Sequence, residues 1–101
     1  MNMQQMMAQA QKMQRELKKA MDALAEQEFS VNKSGAVTVV MMGDGSIKSI
    51  EIDDDAFEKE NKEMVQDLIV MAINELDEKV EAAKEAINEK ITGSKGGFGA
   101  F

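Results

Sequence analysis

Two groups of side chains in this 101-residue chain are charged and closely spaced enough to do chemistry. Lys12, Arg15, Lys18 and Lys19 place four cations on one short stretch, and Asp53, Asp54 and Asp55 are three consecutive carboxylates. Adjacent carboxylates suggest a divalent cation. A calcium loop, however, needs oxygen ligands at spaced positions, a glycine for the sharp turn and a distal glutamate. The 53–55 run lacks that pattern, so the better reading is capping of a short helical turn around Ala56 and Phe57. The chain has no cysteine and no histidine. That removes thiolate chemistry, the commonest general base and the commonest metal ligand. No catalytic residue, metal site or cofactor is therefore expected, and the chain does not read as an enzyme.

The cations are better placed for binding than for catalysis. The formal net charge of −7 is a poor first indication for nucleic acid. Its distribution says more: residues 1–21 carry a net +3, and the remaining residues carry −10. A basic arm is joined to an acidic body. No apolar run is long enough to span a bilayer, and Met1-Asn2-Met3-Gln4-Gln5 lacks the basic and apolar regions of a signal peptide. These features lead to the expectation of a soluble cytoplasmic protein with no membrane partner.

The elements that position these groups follow from periodicity. Residues 2–26 contain no glycine, proline or β-branched residue and are rich in helix formers. Met3, Met6, Ala10, Met13, Leu17, Ala20 and Leu24 step alternately by three and four, a seam of the kind that packs helices side by side. Met7 and Met21 widen it. At about 100° per residue, Lys12, Arg15 and Lys19 fall on the face opposite the seam. An ordinary solvated face and a binding face remain equally open there.

From Glu28 the pattern has period two. Strands are expected over 28–33, 36–42 and 46–52, joined by turns at Lys33-Ser34-Gly35 and Gly43-Asp44-Gly45. Val37, Val39 and Met41 share one face of the middle strand. In the third, Ile50 and Ile52 are read as facing the core. Short connections make this a three-stranded antiparallel meander. A second helix is expected over 61–92, with Asn61 as N-cap and Gly93 as its stop. Residues 1–92 then form a single α+β domain, followed by a flexible glycine-rich tail over 93–101.

Within the second helix, Leu68, Ile69, Val70, Met71, Ala72 and Ile73 are consecutive apolar residues. Such a run points all the way round a helix and must be covered on every side. Lengths show that one chain gives too little cover. Helices of about 37 and 45 Å overhang strands of about 23 Å. In the overhang, the N-terminal half of the first helix would lie beside the C-terminal half of the second. The Leu68–Ile73 set is left for a second copy, and a two-fold dimer is the commonest closed solution.

Gln9-Ala10-Gln11-Lys12-Met13-Gln14, Ile50-Glu51-Ile52-Asp53, Asp67-Leu68-Ile69-Val70-Met71-Ala72-Ile73-Asn74 and the Thr92-Gly93 start of a tail closing on Phe101 occur in this order. In these elements the chain resembles the YbaB/EbfC family of bacterial nucleoid-associated proteins, over essentially its whole length. The resemblance implies an α-β-β-β-α protomer in a tweezer-like homodimer that binds double-stranded DNA and helps organise the nucleoid or influence expression. It assigns Lys12 to the DNA-contacting arm. Arg15, Lys18 and Lys19 join it on the charge map. It also makes the Leu68–Ile73 set the dimer interface.

The leading expectation is thus a DNA-binding homodimer in the nucleoid, without a small-molecule substrate. Its arms would meet phosphates, with affinity that falls with salt and little sequence preference. The alternative is a protein-interaction or chaperone-like adaptor that uses the Met-rich helix.

Overall fold

The computed structural model describes residues 2–93. Helix α1 (Met3–Ala25) opens on a capping box. Asn2 Oδ1 accepts the Gln5 N–H at 2.8 Å, and Gln5 Oε1 accepts the Asn2 N–H at 3.2 Å. Two of the helix's orphan donors are satisfied in this way. Three strands follow, β1 (Glu28–Lys33), β2 (Val37–Met42) and β3 (Ile47–Ile52), in the order β1-β2-β3 and antiparallel throughout. The expected meander is present, with bounds within a residue.

Each turn is held by a side chain. Ser34 and Gly35 both take positive φ, and Asn32 Oδ1 accepts the Gly35 N–H at 2.9 Å. At the second turn the Asp44 carboxylate accepts from the Ser46 hydroxyl and the Ser46 N–H, which holds its carboxyl below the usual range. Gly43 is needed for close approach: a Cβ there would lie 1.8 Å from the Leu24 carbonyl oxygen. The end of α1 is thereby seated against the β2–β3 hairpin.

Asp53 Oδ2 accepts the Asp55 N–H at 3.1 Å and caps the short helix α2 (Asp54–Ala56), the capping role read from the sequence. A second short turn, α3 (Lys59–Asn61), leads directly into the long helix α4 (Lys62–Thr92). Asn61 stands at the N-cap position, but its side chain makes no capping bond. It already closes the preceding turn, so its backbone is not extended as a side-chain cap requires. Gly93 ends α4 in the left-handed conformation, donating its N–H to the Glu89 carbonyl. The rest of the tail expected over 93–101 lies outside the described residues.

Helix α4 lies across β1 and β2. Val31, Val37, Val39 and Met41 pack beneath Val65, Ala72, Leu76 and Val80 in one core. Each large aliphatic side chain buried there contributes about 1.5–3 kcal/mol. One expectation fails at β3. Ile50 pairs with Val39 on the core-facing side of the sheet, yet it is 43% exposed. The helix covers the other two strands and leaves this edge open. An irregularity at Val40/Met41 adds a second consequence. The pairings Val39–Ile50 and Met41–Ile47 leave an extra residue in β3. Ile47 is thereby brought onto the same face as Ile50 and Ile52, where strict alternation would place it on the other.

The two long helices also overlap differently from the expectation. Residues 2–12 of α1 are all exposed, and burial begins at Met13 and deepens through Leu17, Ala20 and Met21 to Leu24. It is the C-terminal half of α1 that is covered. From Val80, the last core residue of α4, to Thr92 is only about 18 Å, against about 34 Å for all of α1. With Leu24 fixed at the hairpin, α4 cannot reach the start of α1. The molecule is 68 Å long and 23 Å across.

Candidate nucleic-acid interface

All four sequence-selected cations lie on α1, and all four are exposed. Lys12, Arg15 and Lys19 occupy one face, opposite the Met/Leu seam. Among the described residues none of these three forms an ion pair. Lys18 differs. Its Nζ donates to Asp22 Oδ2 at 2.8 Å, one turn along the helix. That hydrogen bond, and secondarily the Asp22 charge, raise the Lys18 pKa above its ordinary value. The pair is solvent-exposed and adds little to stability. It does share the Lys18 charge with a carboxylate, so Lys18 is the least available of the four.

On the body, Lys33, Lys48, Lys79 and Lys84 meet carboxylates, whereas Lys59, Lys62 and Lys90 form no ion pair among the described residues. Lys33 Nζ donates to Glu75 Oε1 at 2.9 Å, and Lys48 lies 3.2 Å from Glu28. Lys84 and Glu81 are 3.4 Å apart. The Lys33 bond, ahead of the charges of Lys33 and Lys79, holds the Glu75 carboxyl below the usual glutamate range. Lys79, one turn along α4, lies 4.0 Å from Glu75 and is the weaker of its two partners. The arm thus presents unpaired positive charge, and the body neutralises much of its own. An exposed helix with three free cations on one face can contact successive phosphates.

The match to family models is decisive for the class. Residues 1–95 match the YbaB/EbfC DNA-binding family. The chain belongs to that family. It is also 42% identical over 98 residues to a nucleoid-associated protein of Enterococcus faecalis, covering 96% of this chain and 94% of that one. A nucleoid-associated protein of Saccharopolyspora erythraea is 42% identical over 100 residues, covering 95% of this chain and 84% of the other. One from Mycoplasmopsis pulmonis is 34% identical over 95 residues, covering 94% of each. The YbaB/EbfC family is a DNA-binding family and not an enzyme family. Among the described residues no carboxylate cluster is arranged to hold a metal ion, and no helix is long and apolar enough to cross a membrane.

The Leu68–Ile73 set is distributed around α4. Ala72 is fully buried in the chain's own core, and Leu68, Ile69 and Ile73 pack at its margin. Val70 and Met71 are 58% and 54% exposed. Being about 100° apart, they look out over different flanks. Val70 continues the Ile69/Ile73 side, and Met71 lies on the side of half-exposed Met64.

A second apolar surface was not singled out in the sequence. The ring of Phe57 is largely exposed, beside a groove of about 360 Å³ lined by Ile52, Ala56, Val65, Ile69 and Lys62. With Ile47 and Ile50 it forms an open apolar margin along β3. The available signal was Phe57 itself, a lone aromatic in the acidic 53–63 stretch.

Proposed function

We propose that this YbaB/EbfC chain binds double-stranded DNA as a nucleoid-associated homodimer with little sequence specificity. By occupying DNA it contributes to nucleoid organisation and gene regulation. The observation that carries the proposal is the exposed face of α1, where Lys12, Arg15 and Lys19 form no ion pair among the described residues, on a chain whose remainder is strongly acidic. Phosphates would meet this face while the body, with net charge −10, stays away from the duplex. Lys18 contributes least, because Asp22 holds it.

For the homodimer, the supporting feature is the apolar surface that one chain leaves open. Ile69, Val70 and Ile73 border the β3 margin of Ile47, Ile50 and Phe57, and together they form the main contact. Leu68 and Met71 extend it over the other flank, while Ala72 supports the helix from within. Val70→Asp combined with Ile50→Asp is expected to halve the native mass in light scattering while helical content is kept. An unchanged mass would place the contact elsewhere.

The DNA reading is tested by duplex titrations at several salt concentrations. Wild type is compared with a Lys12→Glu/Arg15→Glu/Lys19→Glu variant of unchanged native mass. Affinity should fall with salt by up to about 0.9 log unit per phosphate contact for each log unit of salt. The variant should lose binding. Absence of wild-type binding even at low salt would sink the DNA reading.

One observation favours a second reading, a protein-binding adaptor: Met3, Met6 and Met7 are 77%, 57% and 58% exposed. In that case a partner protein would be lost on Met3→Gln/Met6→Gln/Met7→Gln and would be indifferent to the three cations.

A further inference from the structure

The free end of α1 is an ordered, uncharged, apolar helix face with nothing of the described chain against it. Residues 2–11 contain no ionisable side chain, and the first charge along the helix is Lys12. The capping box at Asn2 and Gln5 fixes the first turn, so the tip is a built helix end. The seam that packs Leu17, Ala20 and Leu24 continues at unchanged spacing through Ala10, Met6 and Met3, where it is exposed. Half of one helix-packing surface is therefore used within the chain, and the other half extends past the helix that covers it.

We propose that the Met3–Ala10 seam pairs antiparallel with the same seam of a second copy of this chain, coming from a different homodimer. Charge selects both occupant and direction. An antiparallel overlap of residues 3–10 brings together two uncharged segments and keeps the two acidic bodies at opposite ends. A parallel overlap would set Lys12, Arg15 and Lys19 of both chains side by side, with the bodies close together. In the antiparallel pair Met3 lies opposite Ala10, Met6 and Met7 sit at the two-fold axis, and the helix dipoles oppose. The side chains alternate as helix seams require. Lys12, Arg15 and Lys19 point away from the contact, so tip pairing and phosphate binding are compatible on one arm.

Size sets the strength. Four small and medium side chains per copy bury on the order of 600 Å² in total, well below the ~1,200 Å² of standard stable interfaces. The contact is weak between free molecules and becomes significant where arms are concentrated along one duplex. Since each homodimer has two arms, the pairing links dimers in series. This inference rests on the homodimer proposed above for the size of the resulting assembly, and on the proposed DNA binding, checked by the duplex titration, for the concentration that drives the pairing.

The chain's lack of cysteine makes the test direct. Met6→Cys places one thiol at the proposed axis, and Ala8→Cys places one on the opposite face of the same exposed turn. Treated with a short bismaleimide in the presence of duplex DNA, Met6→Cys should link chain to chain about tenfold faster than Ala8→Cys, as held neighbours do relative to chance encounters. Adding Met3→Gln should return the Met6→Cys rate to that of the control. Equal rates for the two thiols, or no effect of Met3→Gln, would overturn the proposal. That includes the case in which another part of the same chain occupies the seam.

Native mass separates this outcome from failure of the homodimer. If the unlinked protein is a dimer, the linked product should contain four or more chains, and a linked species of only two would overturn pairing between dimers. If the unlinked protein is a monomer, a linked species of two chains retains the seam contact and removes the homodimer.

Discussion

The two long helices show opposite uses of an apolar pattern. Helix α4 carries Val65, Ala72, Leu76 and Val80 into the core and is held along its length by the sheet and by α1. Helix α1 has a more regular seam, yet only Leu24 is buried. A clean stripe on a helix therefore does not show how much of it is covered. What matters is whether another element reaches it. Here α4 is a structural spine, and α1 is an arm anchored at one end, whose outer face keeps its cations available and whose free half exposes its methionines.

The largest expected effect would make this contrast quantitative. Leu76→Ala, in the fully buried part of α4, should lose about 2–5 kcal/mol of unfolding free energy in urea titration. Met6→Ala, at an exposed seam position of α1, should stay within about 0.5 kcal/mol of wild type. A comparable loss at Met6 would mean that the arm tip is packed in solution.

A smaller effect concerns the contact that fixes α4 to β1. The Glu75 carboxyl is held below its ordinary range by Lys33, so the stability it contributes is complete above the unfolded-state value. That contribution is lost as pH falls through the lower folded-state value. Lys33→Met should therefore lower the thermal midpoint near neutral pH. The gap from wild type should shrink on acidification to about pH 3, below the ordinary glutamate range. A gap independent of pH would assign the loss to packing of the Lys33 stem instead.

The smallest effect distinguishes cations within the arm. Lys12→Ala should reduce the salt slope of DNA binding by about 0.9 if it meets one phosphate. Lys18→Ala should change it by less, because Asp22 already shares that charge. Asp22→Ala should strengthen binding slightly by releasing Lys18. Equal slopes for Lys12→Ala and Lys18→Ala would show that the Asp22 bond yields to phosphate at no measurable cost.

Much of the molecule was legible from local signals. The helix over residues 2–26, the three strands and the Gly93 stop follow from propensity, period and turn chemistry, which act over a few residues. Asp53 as a cap is equally local. The division of charge between arm and body could also be read, since it needs only positions along the chain. Ile50 escaped because its exposure depends on where a helix much later in the chain lies. Ile47 joined it through an irregular pairing that no alternation rule indicates. The Lys33–Glu75 bond joins residues 42 positions apart, beyond any helical spacing.

The amino-acid sequence by itself determined which residues are apolar, charged or turn-forming, and hence the α-β-β-β-α order and the basic face of α1. Only the tertiary structure decided which apolar residues are covered. It buried Ala72, turned Val70 and Met71 to different flanks, and left Met3, Met6 and Met7 beyond the end of α4. The physical reason is that periodicity specifies a direction around each element. Burial additionally requires a neighbour at that point, and the neighbour's position is set by lengths and offsets among elements far apart in the chain.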